Sequence, residues 1–380
     1  MSSKPPATVP QGSASLGWLW LWVAVVAAAM LLPAVALARH QWLSRHRERL
    51  SWDTILDPAL PDPGQPPAED VPIGSARRVS IGFYLSGMGD LSIQQSRWNA
   101  VIDVWCRWRD DEPGAVQGEA FDPFDRLIAV GGTIEHRELL QRIDDGASHY
   151  ELQRLGVCFT KVFRTVNFPL DEHLLVASFE NSAYPRQRLV FVPDVEATAV
   201  SSRVTMAGRR IRAMHAVENP HSYRTSRGMP GVPASKRATF SQPRFAVVVE
   251  RADWGPFAKM FQAMFVAVAV SLLSCFVRPI HVDPRFGLGV GALFAAVANG
   301  YLVNAAMPEG GEFALADVVT LLGIFTILVT LAESTISLAI YDSFGRPAVS
   351  RRLDRVSFVV ILACFVVALA LLLAGATLPA

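Results

Sequence analysis

An apolar segment at residues 286–306 carries small and polar side chains at a spacing that suits contact with water or with another helix. Residues that recur every three or four positions share one face of a helix. The face contains Gly287, Gly291, Phe294, Ala298, Tyr301 and Ala305. Around a shared axis this stripe would line a wet lumen, with Phe294 as a hydrophobic constriction. Alternatively, Gly287 and Gly291 form a G-x-x-x-G pair that lets two helices pack closely.

Acidic residues flank this segment on both sides. Asp283 precedes it, and Glu309 and Glu312 follow it. Carboxylates at the mouths of a narrow lumen would attract cations, whereas the same residues in solvated loops would have no such role. Arg285 lies close to Asp283 and would partly offset its charge. The sequence therefore leaves a cation preference open.

Glu333 lies deep in another apolar run, where an ionisable side chain faces a bundle interior, a cavity or the nearer interface. The histidines His136, His149 and His173 are expected at the surface or in turns. The sequence contains no zinc-protease, nucleophile-elbow, phosphate-binding or dinucleotide-binding motif, and no metal-ligand spacing. We therefore expect no enzymatic activity, no cofactor and no metal.

The composition indicates a soluble part joined to a membrane part. Of the 380 residues 51% are hydrophobic and only 18% are charged. Four C-terminal stretches are long enough to cross a bilayer as helices. They cover about 257–277, 286–306, 316–341 and 356–376. Because these stretches would cross a bilayer, membrane lipid is an expected partner. The net charge of +1 does not indicate a partner, and no basic tract suggests nucleic acid.

Loop charges predict the orientation of these spans. Arginines are concentrated in the loop after the first span and in the loop before the last one. The positive-inside rule places both loops in the cytoplasm. Residues 39–255 and the acidic loop before Asp317 then lie outside, on the side of the membrane opposite the cytoplasm.

The N-terminal residues 1–38 contain a fifth apolar stretch with two possible fates. Ala36-Leu37-Ala38 is acceptable as a signal-peptidase site, which favours a cleaved signal peptide. The length of the stretch favours a retained anchor instead. An arginine cluster follows it, which is the wrong side for an anchor whose N-terminus lies inside.

Residues 39–77 are interpreted as a Pro-rich linker, and residues 78–253 as an all-β domain. Short runs rich in Val, Ile, Phe and Thr predict an antiparallel β-sandwich. The runs are 78–85, 98–108, 156–166, 173–180, 188–194, 208–218 and 243–251. The segment 136–156 is ambiguous and is compatible with a short helix. Cys106 and Cys158 would be able to pair in an oxidising compartment. The expected fold is thus an all-β extracytoplasmic sandwich followed by an all-α transmembrane four-helix bundle at 254–380.

Several motifs occur in a fixed order along residues 78–376. The segment NFPLDEHLLVASFE at 167–180 is similar to an F-P-x-D-x-Q motif with His173 at the glutamine, and Trp108-Arg109-Asp110 is similar to W-x-D. Arg251 precedes the first of the four spans, and the second span ends at Met307-Pro308. In these features the chain resembles pentameric ligand-gated ion channels of the prokaryotic type related to Cys-loop receptors.

The resemblance implies a homopentamer in which an unknown small molecule binds between adjacent sandwiches and opens a pore lined by the second span. The implied pore-lining residues are Gly287, Gly291, Phe294, Ala298, Tyr301 and Asp283. The implied coupling residues are Phe168, Pro169, Asp171, Arg251 and Pro308, with the F-P-L-D turn against the Met307-Pro308 loop. The same F-P-L-D residues can also form only a tight turn with a core phenylalanine.

For the ligand site, the resemblance suggests loop aromatics that hold an amine or another cation. The candidates are Tyr184, Tyr223 and Trp105. Trp105 and Trp108 lie on opposite faces of one strand, so one of them should be core. The second span lacks the Thr/Ser ring of the family and the first span lacks its proline, which puts conduction in doubt. A non-conducting membrane receptor or assembly protein, and a carbohydrate-binding module on an anchor, therefore stay open as alternatives.

Overall fold

The computed structural model describes residues 14–60, 74, 76–115, 121–227, 230, 233, 238–307 and 311–378. The helices of this part are α1 Ala14–Leu56, α2 Gly255–Leu272, α3 Val282–Ala305, α4 Leu315–Asp342 and α5 Pro347–Thr377, with a short 3-10 turn at Leu273–Phe276. The strands are β1 Arg77–Ser92, β2 Arg97–Arg109, β3 Leu127–Val130, β4 Gly132–Asp145, β5 Ser148–Thr160, β6 Glu172–Asn181, β7 Leu189–Pro193, β8 Ala199–Val200, β9 Arg209–Ser222 and β10 Thr239–Arg251.

The strands form two sheets that pack face to face. One has the order β4-β5-β2-β1-β7 with β8 beside β1, and the other has the order β3-β6-β10-β9. Phe83 joins the sheets, because its ring lies 5.7 Å from that of Phe179 and 5.8 Å from that of Phe245. Trp108 is buried in this core, whereas Trp105 lies on the other face of β2 and is half-buried. The β-rich character expected from the sequence is confirmed.

The ambiguous segment at 136–156 belongs to a long β-hairpin, so the helix interpretation was wrong. β4 and β5 pair along their whole length and turn at Gly146, whose φ is +59°. β5 is held by β2 on its other side, and this pairing overrides the weak local preference for a helix. β4 is an edge strand, and Leu139, Leu140 and Ile143 on it are exposed.

The two cysteines of the β-domain do not pair. Cys106 is opposite Glu151 and Cys158 is opposite Asn99 in the ladder between β2 and β5. Both thiols are therefore held at separate places on the sheet, and both are free.

Five helices of the described residues are long and apolar enough to cross a membrane, which indicates a membrane protein. The four C-terminal spans match α2 to α5 to within a few residues, except that α5 begins earlier, at Pro347. The fifth helix, α1, packs against α5. Trp22 Nε1 donates to Ser357 Oγ over 3.0 Å. Farther along, a Cβ atom on Gly375 would lie 2.5 Å from the Ala38 carbonyl oxygen, so the two backbones touch.

The linker expected from residue 39 onward was wrong as far as residue 56, because α1 continues through this segment. α1 has 43 residues, which span about 65 Å and exceed the ~30 Å hydrocarbon core of a bilayer. Its last turns pack on the outer face of the sheet β3-β6-β10-β9. The residues in this contact are Trp52, Ile55 and Leu56 on the helix and Leu174, Ala246 and Val248 on the strands. The rest of the expected linker, residues 61–73, lies outside the described residues.

Two of the arginines that follow the apolar part of α1, Arg45 and Arg49, are paired with the β-domain. Arg45 Nε and Arg49 Nε lie 3.0 and 2.9 Å from Glu172 Oε1, and Arg212 Nη1 lies 3.3 Å from Glu172 Oε2. Burial favours the neutral form of Glu172, but the bonds from Arg49 and Arg45 outweigh burial and hold the pKa of Glu172 below its usual value. Arg45 also donates to the carbonyl oxygen of Ala376 at the end of α5. The positive-inside rule disfavours arginines on the outer side of the membrane. Here the negative charge of Glu172 and the carbonyl of Ala376 compensate the charges of Arg45 and Arg49.

The contact between α1 and α5 distinguishes the two fates of the N-terminal segment. Replacing Gly375 with valine should push α1 from α5 and reduce the free energy of unfolding by about 1–3 kcal/mol, as overpacking does. Thermal unfolding in detergent measures the difference. Gly17→Val is the matched control on α1, because a Cβ atom there meets nothing within 4 Å. Equal stabilities of the two variants would mean that α1 does not pack on α5 in the mature protein, as expected for a cleaved signal peptide.

Candidate functional site

The F-P-L-D turn lies at the junction of the sheets and the helices, where it caps α4. The first N–H groups of a helix have no partner within the helix. Here the Leu315 N–H donates to the Val166 carbonyl over 2.7 Å, and the Ala316 N–H donates to the Phe168 carbonyl over 3.1 Å. The turn, which contains a cis Phe168–Pro169 peptide, is therefore bound to α4 through its backbone.

The sequence placed this turn against the Met307-Pro308 loop. Pro308 lies outside the described residues, and the backbone hydrogen bonds of the turn go to the start of α4 instead. A cavity of about 610 Å³ separates Phe168 from Ala306 after α3, and both residues line it. The cavity leaves room for the end of α3 to move relative to the turn.

Asp171 is the last residue of the turn, and its carboxylate accepts hydrogen bonds from three side chains. Arg251 Nε lies 3.1 Å from Asp171 Oδ1, which is the pair that the sequence suggested. Arg209 Nη2 and His173 Nε2 lie 2.7 and 2.5 Å from Asp171 Oδ2. Arg251 also lies over the Phe168 ring, 5.9 Å from its centroid. The carboxylate thus joins the turn, β6, β9 and the last residue of β10, four residues before α2 begins.

This cluster is buried, which determines its charge state. Burial disfavours the charged form of Asp171, but the hydrogen bond from His173 and the charges of Arg209 and Arg251 outweigh it and hold the pKa of Asp171 well below its usual range. Burial lowers the pKa of His173 below its usual value, although Asp171 opposes the effect. An ionised Asp171 beside a neutral His173 therefore describes the site at neutral pH.

The expectation that His173 lies at the surface was wrong, since its side chain is only 1% exposed. It packs edge-on against Phe163, with 4.9 Å between ring centroids. Positions 171 and 173 of an extended segment point the same way, so both side chains enter the same buried region. Arg209, Glu172 and the partners of Glu172 on α1 were missed altogether. The sequence did offer one signal, since alternate positions of a strand place Asp171 and His173 on one face and Glu172 on the other. It did not predict burial, because polar residues at the start of a strand are usually solvated.

On α3 the predicted stripe is the face that the chain itself leaves uncovered. Phe294 and Tyr301 are each 73% exposed, and Ala298 is exposed between them. A Cβ atom on Gly287 or Gly291 would meet nothing within 4 Å, so the G-x-x-x-G pair makes no helix contact within one chain. The packing alternative is therefore wrong for contacts inside a single chain.

The opposite face of α3 provides the packing. Gly289, Ala292, Ala296, Asn299 and Val303 are buried between α3 and its neighbours α2 and α4. A side chain at Gly289 would collide with that of Leu331. Close packing through a small residue is what helices need in lipid, and here it is Gly289 that supplies it.

At the start of α3 the two nearby charges have different environments. Asp283 is exposed and lies on the side of the uncovered stripe. Arg285 is fully buried and is paired with Glu333 and Asp354 on α4 and α5. The arginine therefore does not offset the charge of Asp283 at the helix end.

The three aromatic candidates for a ligand cage do not come together in one chain. Arg188 lies over the ring of Tyr184 at 4.9 Å, and Arg227 lies over the ring of Tyr223 at 4.4 Å. A guanidinium of the same chain thus occupies the ring face that an amine ligand would use. Trp105 lies flat across Gly82 instead.

Hydrogen bonds hold the polar ends of these aromatics as well. Tyr223 Oη donates to Glu180 Oε1 over 2.9 Å, and burial with the charge of Glu180 raises the pKa of Tyr223 to about 12. Trp105 Nε1 donates to Asp194 Oδ2 over 3.3 Å. Tyr184, Tyr223 and Trp105 are thus each in contact with polar or charged side chains of the same chain. The amine site expected from these residues is therefore not formed within one chain.

No protein-family model matches this chain, and no curated protein matches its sequence. Within the described residues, no group of three or more His, Cys, Asp or Glu side chains is placed to hold a metal ion. The junction cluster and the stripe on α3 are the two arrangements that a function has to explain.

The charge pair at the junction can be tested by neutralising Arg251. Arg251→Gln should reduce the free energy of unfolding by about 1.5–3 kcal/mol, the range for a hydrogen bond to a charged group. Arg210→Gln is the control, because Arg210 pairs with Glu250 over 2.8 Å but is 67% exposed, and such a pair contributes about 1 kcal/mol or less. Denaturant unfolding measures both. Equal losses would contradict a structural role of the buried pair.

The buried histidine predicts a dependence of stability on pH. Because the folded state favours neutral His173, the unfolded chain takes up that proton first on acidification, and stability should fall as the pH drops below about 6.5. His173→Gln should remove up to about 2 kcal/mol of this loss at pH 5. Asp171 contributes in a separate window, since its stabilisation is lost progressively as the pH falls below ~3.9, where the unfolded chain binds this proton first.

The exposed His136 supplies the control for this experiment. His136→Gln should leave the pH profile of thermal unfolding unchanged. If His173→Gln and His136→Gln give the same profile as the unmodified protein, His173 does not bind its proton preferentially in the unfolded state.

Proposed function

We propose that this chain is a subunit of a homopentameric ligand-gated ion channel whose pore is lined by α3. The observation that carries the proposal is the uncovered stripe of α3, which begins at Asp283 and passes through Phe294 to Tyr301. The stripe is continuous along the helix and is opposite the face that packs in the chain. Five copies around an axis would cover it and enclose a lumen with Phe294 as its constriction.

The composition of the stripe favours a lumen over lipid. The exposed side chains of α5 include Val359, Leu362, Val366 and Val367, which are branched and apolar, as lipid contact requires. The uncovered face of α3 also exposes Val290, Val297 and Leu302, but it adds Gly287, Gly291 and the polar ends of Tyr301 and Asn304. Such a face suits water or a neighbouring helix better than acyl chains.

The β-domain offers a second surface for assembly. β4 is an edge strand with unpaired backbone groups, and it exposes Leu139, Leu140 and Ile143. Exposed apolar edges are prone to pair with another chain. In the proposed pentamer this surface contacts the adjacent copy.

The junction supplies a route from ligand binding to the pore. A small molecule between adjacent β-domains would shift the turn at Phe168, which caps α4 and is tied to Arg251 before α2. Separating Arg251 from Asp171 costs about 1.5–3 kcal/mol. The cluster therefore favours two discrete arrangements over gradual deformation. The nearby cavity gives α3 room to follow.

The proposed location is the bacterial inner membrane, with the β-domain on the outer side. The proposed pore prefers cations, since Asp283 is exposed at one mouth while Arg285 is buried and paired. The exposed β4 strand also suits a non-conducting membrane receptor or assembly protein that binds a partner. Subunit number and current distinguish this second function from a channel.

Two measurements test the channel proposal. The mass of the detergent-extracted protein should correspond to five chains. In a planar bilayer, Phe294→Ala should raise the current in the absence of ligand, because it removes the hydrophobic constriction. Leu302→Ala is the control, since Leu302 is 71% exposed but lies off the stripe, and its basal current should match that of the unmodified protein. A dimer, or five chains without current in either variant, would favour the non-conducting receptor.

A further inference from the structure

A second buried charge cluster lies at the other end of the helices, near the start of α3. Arg285 Nη2 lies 2.8 Å from Asp354 Oδ1 on α5 and 3.2 Å from Glu333 Oε2 on α4. Arg285 Nη1 also donates to the Val277 carbonyl after the 3-10 turn. The side chains of Arg285 and Glu333 are fully buried, and that of Asp354 is 6% exposed. The cluster thus joins α3, α4, α5 and the turn after α2.

The charges of this cluster do not balance. Two carboxyl groups share one guanidinium, so the fully ionised cluster carries one net negative charge. An uncompensated buried charge is strongly unfavourable. Apart from the cluster's own members, the titratable group that faces Glu333 is the Cys275 thiol, whose Sγ lies 3.8 Å from Glu333 Oε2. A thiol adds no positive charge, so the imbalance persists.

The hydrogen bonds indicate which of the two carboxyl groups binds the proton that would balance the charge. Asp354 Oδ1 accepts from both Arg285 and Ser337, with 2.5 Å to Ser337 Oγ, as suits an ionised carboxylate. Glu333 Oε1 is buried and has no hydrogen-bond partner. Glu333 Oε2 and Asp354 Oδ1 both accept from Arg285 Nη2, so the two carboxyl groups lie side by side. A buried oxygen without a partner beside an ionised acid is the position where a proton would bind.

A proton fits this site better than a metal ion does. The guanidinium already lies between the two carboxyl groups, so a separate cation would be repelled at short range. A proton adds no separate charged centre, and it converts Glu333 into a donor. We propose that Glu333 and Asp354 bind one proton together, carried on Glu333, and that this proton holds the start of α3 against α4 and α5.

The proposal is independent of channel activity, because its test needs no current. Infrared spectroscopy resolves the C=O stretch of a protonated carboxyl from that of a carboxylate. At neutral pH, the spectrum of the unmodified protein minus that of Glu333→Gln should contain a protonated-carboxyl band, because other protonated carboxyl groups such as that of Glu48 contribute to both spectra and cancel. The same band should be missing from Asp354→Asn, because the remaining carboxylate then pairs with Arg285 one to one and needs no proton.

Glu312→Gln is the matched control, since Glu312 is half-exposed in the loop before α4 and pairs with Arg164 there. The band should persist in this variant. Raising the pH should remove the band from the unmodified protein and lower its thermal midpoint, whereas the midpoint of Glu333→Gln should not follow the same titration.

Several outcomes would overturn the shared proton. The band can persist in both Glu333→Gln and Asp354→Asn, which would place the proton elsewhere. It can also be absent from the unmodified protein at neutral pH, which would mean that both acids are ionised. The pH titration of the unmodified protein needs no variant, so the proposal stays testable if either substitution prevents folding.

Discussion

Two adjacent carboxylates at the start of β6 hold this structure together. Successive residues of an extended strand point to opposite faces, so Asp171 and Glu172 face different partners. Asp171 turns towards Arg209 and Arg251, next to the entry to α2. Glu172 turns towards Arg45 and Arg49 on α1 and Arg212 on β9. The turn that precedes them caps α4, and Arg45 reaches the end of α5. Helices α1, α2, α4 and α5 therefore meet the β-domain within a few residues of one dipeptide.

The helices are held at their other end by a different arrangement of the same chemistry. Arg285, Glu333 and Asp354 are buried together, so α3, α4 and α5 share one charge cluster. Between the two clusters the helices pack through small residues, because lipid removes the hydrophobic driving force for helix association. Gly289 lies against Leu331, and Gly323 against Met264. Charges thus fix the two ends of the bundle, and shape fixes its middle.

Periodicity and length predicted the elements whose environment is uniform. The strand runs alternate as one half-buried strand requires, and the C-terminal spans stay apolar over the length that a bilayer requires. They agree with the structure in position, except that the run 156–166 extends past the end of β5 at Thr160. The predictions failed where an element has two environments. α1 begins in the apolar region and ends on a sheet, so its second half reads as a polar linker. β4 is exposed along nearly all of its length, and without a buried face it carries no alternation to detect. His173 was misplaced because a single polar residue in sequence does not reveal its partners.

β10 illustrates why α1 belongs to the β-domain as much as to the membrane. Its run Phe245–Val249 is buried on both faces. A strand of an antiparallel sheet usually has one solvated face, whereas a continuous apolar run requires cover on both. The other sheet covers Phe245, Val247 and Val249, and α1 covers Ala246 and Val248 through Trp52 and its neighbours. Without α1 this second face of the sheet would be an exposed apolar patch. The long first helix therefore allows β10 to be apolar at every position from Phe245 to Val249. Arg45 and Arg49 fix the helix there through Glu172.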